Sequence, residues 1–241
     1  MQGELEAALA RLLGETIRVA LAGRTDAGVH ALGQVASFTL ARAWEPAVLQ
    51  RALNAVLPAD LAVRGAEPAP DGFHARFSAQ GRAYRYLIWQ AVAPAPLLRN
   101  RAWHVRGTLD LAAMHAAAQA LRGRHDFASF AGAGLGVPGP DADEERPSTV
   151  REIYSAACYR WPLRSLYEGP PVSGEGRLIA VDLAGAAFLP QMVRTVVATL
   201  VDVGQGKRSA AAFAAILAAA DRRLAAATAP PQGLCLLRVW Y

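Results

Sequence analysis

Lysine and cysteine are both scarce in this chain of 241 residues. Lys207 is the only lysine, so arginine supplies the rest of the 25 basic side chains. Cys158 and Cys235 are the only cysteines, and two cysteines cannot complete a structural zinc site without other ligands. Because the five histidines are scattered without the spacing of metal ligands, the sequence predicts no metal site.

A long, unbroken hydrophobic run is also lacking. The alanine-rich segment FAAILAAADRRLAAATA is interrupted by charged residues and does not resemble a helix that spans a bilayer. The first fifteen residues, MQGELEAALARLLGE, have the pattern of an amphipathic helix with acidic residues and not that of a secretion signal. These absences argue against a membrane protein and predict a soluble, cytoplasmic one.

Arginine gives the chain an excess of positive charge. With 25 basic and 20 acidic residues, the formal net charge is +5. Guanidinium groups bind phosphates in a two-pronged geometry and stack on bases, so this excess favours a nucleic-acid partner. Replacement of lysine by arginine in a GC-rich genome is an alternative explanation for the ratio of the two residues, but it does not explain the positive charge.

Hydrophobic patterning predicts two α/β halves. The proline-rich segment 91–101, AVAPAPLLRNR, is the best candidate for a boundary, and we expect the halves at residues 1–92 and 93–241. Helices that alternate with hairpin-type strands are typical of helices packed on one face of a largely antiparallel sheet. Residues 131–148 contain too much glycine, proline and aspartate to pack, and predict a mobile loop. The expected strands lie in TIRVALAG, GQVASFTLA, DLAVRGAEPAP, GRAYRYLIWQ, TVREIYSAACYRW, GRLIAVDLAG and GLCLLRVWY.

Residues 22–30, AGRTDAGVH, form a polar loop directly after an apolar run. Gly23 and Gly28 suit positive φ angles, and Asp26 can cap such a turn through its side chain, which is a purely structural interpretation. The functional interpretation is that Asp26 takes part in chemistry. In an extended stretch Arg24 lies on the same side of the chain as Asp26, and a loop that follows a buried strand often carries functional groups. A single carboxylate in this setting is a candidate catalytic residue.

Aromatic rings and guanidinium groups are interleaved in residues 73–86, FHARFSAQGRAYRY. This mixture suits single-stranded or looped RNA, because bases stack on rings and phosphates pair with arginine. Alternation along a strand would place Tyr84 and Tyr86 on one face and Arg85 on the other, so the rings could instead simply fill the core. The pattern alone does not decide between these interpretations.

Arg194 is the single charged residue in the apolar segment AAFLPQMVRTVV. A lone arginine in such a helix usually extends its charged end to the surface. If the side chain is buried, it needs a carboxylate partner, and Asp26 is a candidate. No phosphate-binding loop, dinucleotide fingerprint or serine-hydrolase motif is present in the sequence.

The segment AGRTDAGVHALGQVASF closely resembles the signature of the tRNA pseudouridine synthase A family, in which GRTDAGVH surrounds the catalytic aspartate. The segments NAVLP, FHARFSA, RAYRY, DFASF, MVRTVV and DRRLAAATAPPQGLCL also resemble that family, in its order, so the resemblance covers nearly the whole chain. It implies an isomerase that converts uridine to pseudouridine at positions 38, 39 and 40 of the tRNA anticodon stem-loop. It also implies a homodimer that needs no cofactor.

The implied fold is the α+β pseudouridine synthase fold. In that fold two ferredoxin-like halves share a continuous, mostly antiparallel sheet with helices packed on it, and the active-site cleft lies between the halves. The family begins with a strand and a DGxxxxGWQ-type stretch, whereas this sequence begins at the first helix, so we expect the first strand of the N-terminal half to be missing. That absence favours a second hypothesis, a catalytically weak or inactive RNA-binding chaperone of the same fold. A third hypothesis is an unrelated small-molecule enzyme that uses Asp26.

The resemblance also implies roles for individual residues. Asp26 is the expected catalytic aspartate, Tyr84 the ring that stacks on the target base, and Arg24 the residue linked to flipping that base out. Arg194 matches the basic partner of the aspartate. The residues expected to bind RNA are Phe73, His74, Ala75, Arg76, Phe77 and Arg82.

Overall fold

The computed structural model describes residues 1–132, 148–162 and 176–241. The loop expected at 131–148 therefore lies largely outside the described residues. The chain divides into two compact units, called here unit 1 and unit 2. The division into halves at residue 92 stays a prediction. Unit 1 comprises Met1–Arg24, Gln34–Ala79 and Tyr241, and unit 2 comprises Thr25–Gly33 and Gln80–Trp240.

Five α-helices and nine strands are present in the described residues. The helices are α1 (Gln2–Leu13), α2 (Pro46–Val56), α3 (Leu111–Gln119), α4 (Met192–Gly204) and α5 (Ala210–Ala219). The strands are β1 (Ala20–Leu21), β2 (His30–Ala31), β3 (Ala36–Ser37), β4 (Gly81–Gln90), β5 (Trp103–Val105), β6 (Gly123–Asp126), β7 (Val150–Trp161), β8 (Arg177–Gly185) and β9 (Leu234–Trp240). None of these helices is long and apolar enough to cross a membrane.

Unit 1 is built around the apolar faces of α1 and α2. Leu5 and Leu9 of α1 are four residues apart, which places them on one face of the helix. They belong to the same buried cluster as Leu49 and Leu53 of α2. Gly14 caps the end of α1, and its φ of 73° suits a residue without a side chain.

Three strands expected in unit 1 are short or absent. TIRVALAG and GQVASFTLA contribute only the two-residue strands β1 and β3, and DLAVRGAEPAP contains no strand. In the last case the Asn54 side chain accepts from the Val63 N–H at 2.7 Å and donates to the Val63 carbonyl at 2.8 Å. The Gln34 side chain binds both backbone polar groups of Gly23 in the same way. Side-chain amides therefore take the place of a strand partner.

Seven strands of unit 2 form one sheet in the part of the chain that the structure describes. Their order is β2-β9-β4-β8-β7-β6, with β5 also beside β4. The β2–β9 and β4–β5 pairs are parallel, and the other pairs are antiparallel. The four long strands β4, β7, β8 and β9 closely match the segments in which they were expected.

Helices α3, α4 and α5 pack on one face of this sheet. Tyr84, Tyr86 and Ile88, which alternate along β4, are buried in the same apolar cluster as residues of these helices. Arg85 faces the other side, where its guanidinium pairs with Asp182 of β8 at 2.7 Å. The expected placement of these side chains and the α+β class are therefore confirmed.

Candidate active site

Asp26 begins a tight turn in unit 2. The Val29 N–H donates to the Asp26 carbonyl at 3.1 Å, and Gly28 between them has a φ of 82°, which a type II turn requires at its third position. Pro231 packs against this glycine, since a Cβ added there would lie 3.1 Å from Pro231 Cγ. The backbone of Asp26 therefore makes the turn, and the turn does not need its carboxylate.

The carboxylate of Asp26 forms an ion pair with Arg194. Arg194 Nη1 donates to Asp26 Oδ2 at 2.5 Å, although the two residues are 168 positions apart in the sequence. The arginine side chain is only 13% exposed, whereas the aspartate side chain is 40% exposed. The carboxylate is thus accessible while its cationic partner is shielded, and the pairing that the sequence left open is present in the structure.

Contacts with Ala229 orient the Arg194 guanidinium. Arg194 Nε donates to the Ala229 carbonyl at 2.8 Å, and the Arg194 carbonyl accepts from the Ala229 N–H at 3.3 Å. Arg194 lies in the first turn of α4, which begins at Met192. Because a guanidinium is planar and rigid, holding Nε also sets the direction of Nη1.

Tyr84 is a buried tyrosine whose hydroxyl is influenced by the charge of Asp26. The tyrosine is 8% exposed, and its ring meets the Phe188 ring edge-on with centroids 5.0 Å apart. Burial raises the pKa of the Tyr84 hydroxyl, the positive charge of Arg82 opposes that effect, and the negative charge of Asp26 adds to it. Arg82 itself donates to the Ala186 carbonyl at 2.9 Å. The Tyr84 phenol is therefore neutral at physiological pH.

Tyr86 is a second buried tyrosine beside this site, and the sequence did not indicate a role for it. Its hydroxyl donates to the Pro230 carbonyl at 2.7 Å. Its ring packs against Gly233, since a Cβ added to that glycine would lie 2.5 Å from the ring. Residues 229–233 are called here the APPQG segment. Ala229 of this segment binds the Arg194 guanidinium, and Pro231 packs against Gly28 in the turn that Asp26 begins. The sequence signals of this segment are its two consecutive prolines and the family resemblance of DRRLAAATAPPQGLCL, in which it lies.

Other expected site residues belong to unit 1. Arg24 is exposed and is the last residue of Met1–Arg24, the first segment of unit 1. Ala75 is fully buried, and its backbone groups are satisfied there: its N–H donates to Ser37 Oγ at 3.0 Å and its carbonyl accepts from the Tyr241 hydroxyl at 2.9 Å. Phe77, two residues further on, is 77% exposed. Ala75 therefore anchors its segment within unit 1, and Phe77 is presented to solvent.

The arrangement in unit 2 suits chemistry at a carboxylate. An accessible carboxylate can act as a nucleophile or accept a proton, and a guanidinium partner favours its charged form. A neighbouring aromatic ring can hold a planar group by stacking. Among the residues that the structure describes, no group of three or more histidine, cysteine, aspartate or glutamate side chains could hold a metal ion.

Comparisons with known proteins agree with this chemistry. A family model described as tRNA pseudouridine synthase matches residues 1–78 and 117–241. The chain is 40% identical over 241 residues to the tRNA pseudouridine synthase A of Geotalea uraniireducens, a match that covers 100% of this chain and 89% of the relative. It is 46% identical to proteins of the same name from Chloroflexus aurantiacus and Roseiflexus sp. strain RS-1, covering 100% of this chain and 80% and 82% of those relatives.

Proposed function

The chain belongs to the tRNA pseudouridine synthase family, and on this premise we propose that it isomerises uridine to pseudouridine at positions 38, 39 and 40 of the tRNA anticodon stem-loop. The observation that carries the proposal is the ion pair between a partly exposed Asp26 and a shielded Arg194. The helices packed on a largely antiparallel sheet agree with the pseudouridine synthase fold.

The reaction exchanges one bond for another within a single nucleotide. The N1–C1′ bond breaks, the base turns, and a C5–C1′ bond forms, so that C5 loses its proton and N1 gains one. Asp26 either forms a covalent adduct with the substrate or takes a proton from the sugar. Both roles require a charged carboxylate, which the ion pair with Arg194 supports.

The target base has to leave the stacked helix before it reacts, which costs a few kcal/mol. We assign Tyr84 as the ring on which the base then stacks, because stacking on an aromatic side chain returns about 1–3 kcal/mol. Arg24 is assigned to turning the base out of the helix. The residues assigned to RNA binding are Phe73, His74, Arg76, Phe77 and Arg82. Ala75, which the sequence also predicted, is fully buried and anchors this segment without contacting RNA.

We further propose that the protein works in the cytoplasm as a homodimer on tRNA. The net charge of +5, carried almost wholly by arginine, supports the RNA partner.

Release of tritium from stem-loop RNA labelled at C5 tests the reaction. We expect release by the wild-type protein. Binding without release would instead support the inactive RNA-binding relative, and the absence of both would overturn the proposal.

Substitutions of Tyr84 separate the effect of the ring from that of the hydroxyl. Tyr84→Phe keeps the ring, so kcat/KM should stay close to the wild-type value. Tyr84→Leu removes the stacking surface and should lower kcat/KM about 5- to 160-fold, the equivalent of about 1–3 kcal/mol. Steady-state tritium release measures both variants. Equal impairment of the two would show that the hydroxyl, and not the ring, carries the effect.

Tyr86→Phe tests the support that the APPQG segment gives to Arg194. The change leaves the partly buried Pro230 carbonyl without its donor, so the free energy of unfolding should fall by about 0.5–1.5 kcal/mol in urea titrations. Activity should fall as well, because the segment that orients the guanidinium is loosened.

Tyr159→Phe is the matched control for this change. Its hydroxyl contacts Arg85 and Asp182 on the opposite face of the sheet, so we expect a loss of stability without a loss of activity. If the Tyr86 and Tyr159 variants have equal activity, the APPQG segment does not position Arg194.

A further inference from the structure

Phe77 is an exposed ring in a segment that is otherwise well packed. At 77% exposure it is the most exposed aromatic side chain among the described residues. Phe73 of the same segment contacts the Tyr241 ring with centroids 4.8 Å apart, and Ala75 is fully buried. Packing within unit 1 therefore explains the positions of Phe73 and Ala75, but it does not explain the exposed ring of Phe77.

The turn that carries Phe77 is held in one conformation. His74 Nδ1 accepts from the Arg76 N–H at 3.1 Å and from the Phe77 N–H at 3.3 Å. Ser78 Oγ accepts from the His74 N–H at 3.0 Å, and the Ser78 N–H donates to the His74 carbonyl at 2.9 Å. Because the backbone is already ordered, a ligand that meets the ring has little further ordering to induce.

The groups beside the Phe77 ring are aromatic and cationic. The His74 ring lies against it, with centroids 4.4 Å apart and planes inclined by 30°. Arg76 Cζ lies 5.6 Å from the ring centroid, within the range of a cation–π contact. A ring backed by a second ring and flanked by a guanidinium suits an unpaired nucleotide, since the base stacks and the phosphate meets positive charge.

We propose that Phe77 is a stacking platform for one unpaired nucleobase of the RNA substrate, a base other than the reacting uridine. The proposal rests on the proposed function, because it takes a tRNA loop as the partner. A nucleotide fits this surface better than an apolar protein segment does, because a histidine ring and an arginine guanidinium lie beside the Phe77 ring.

Binding of an unmodified tRNA transcript tests the platform. We would use the Asp26→Asn background, in which the RNA is expected to bind without being converted. Phe77→Leu, which removes the ring, should weaken binding about 5- to 160-fold, whereas Phe77→Trp should bind as tightly as the parent. Val92→Ala is the control, because Val92 is 88% exposed and lies in unit 2.

The salt dependence of tRNA binding distinguishes stacking on the ring from contacts with phosphate. Stacking releases no counterions, so the loss caused by Phe77→Leu should be the same at low and at high salt. Arg76→Ala should instead reduce the dependence of binding on salt. A tRNA affinity of Phe77→Leu within twofold of the parent, or equal weakening by the Leu and Trp variants, would overturn the platform. A change in the oligomeric mass of the Phe77→Leu variant in solution without a change of tRNA affinity would also overturn the platform. It would indicate that Phe77 forms a contact between copies of the chain.

Tritium release by the wild-type protein keeps this test separate from that of the proposed function. No release together with RNA binding that depends on Phe77 would overturn the isomerase and retain the platform. Release together with binding that does not depend on Phe77 would overturn the platform alone.

Discussion

Asp26→Asn is expected to abolish pseudouridine formation while the protein still folds and binds tRNA. The amide has the shape of the carboxylate, but it can neither form the covalent adduct nor accept a proton at neutral pH. Loss of a proton-transfer group costs about 10²- to 10⁴-fold in rate, and loss of a nucleophile costs up to about 10⁶-fold. The rate of tritium release from stem-loop RNA therefore tests the role of Asp26. The size of the loss helps to separate the covalent route from the route by proton transfer.

The fold should survive this change because the turn uses the Asp26 carbonyl and not its carboxylate. Asp221→Asn is the matched control. Asp221 also pairs with an arginine, Arg223, at 2.7 Å, and hydrogen bonds from Arg223 lower the pKa of Asp221 to about 2. The control should retain full activity. Wild-type activity in Asp26→Asn would refute the assignment of the catalytic residue.

Arg194→Ala is expected to lower kcat by about 10²- to 10³-fold, an effect of the size seen when one charge-stabilising group is removed from an active site. The carboxylate of Asp26 would lose its cationic partner and its fixed orientation. Arg194→Lys should recover only part of the rate, because one ammonium group cannot reproduce the rigid fork that reaches both Ala229 and Asp26. Single-turnover rates and KM, measured separately, show whether the loss is in kcat.

Arg85→Lys is the control for the arginine variants. Arg85 donates to both carboxylate oxygens of Asp182, at 2.8 and 2.7 Å, on the face of β4 opposite to Tyr84. Its replacement should affect stability and leave kcat unchanged. If Arg194 acts through Asp26, adding Arg194→Ala to Asp26→Asn should cause no further loss. A clear additional loss in the double variant would show that Arg194 acts on the substrate independently.

The long elements of unit 2 could be predicted because their sequences carry strong, uninterrupted patterns. GRAYRYLIWQ alternates rings and arginines, and the structure places Tyr84 and Tyr86 in the core with Arg85 on the other face. The strands of unit 1 could not be predicted in the same way. There the side chains of Gln34 and Asn54 bind backbone groups that a neighbouring strand would otherwise have satisfied, and such competition does not appear in a hydrophobic pattern.

The sequence by itself determined the local chemistry of the candidate site. Glycine two residues after Asp26 permits the positive φ of the turn, and this preference depends only on the residue and its immediate neighbours. The tertiary structure decided which groups meet the carboxylate. Arg194 is 168 residues away, and the APPQG segment that orients it depends on the packing of α4 and β4. Contacts across such distances result from the burial of whole elements, so no local pattern specifies them.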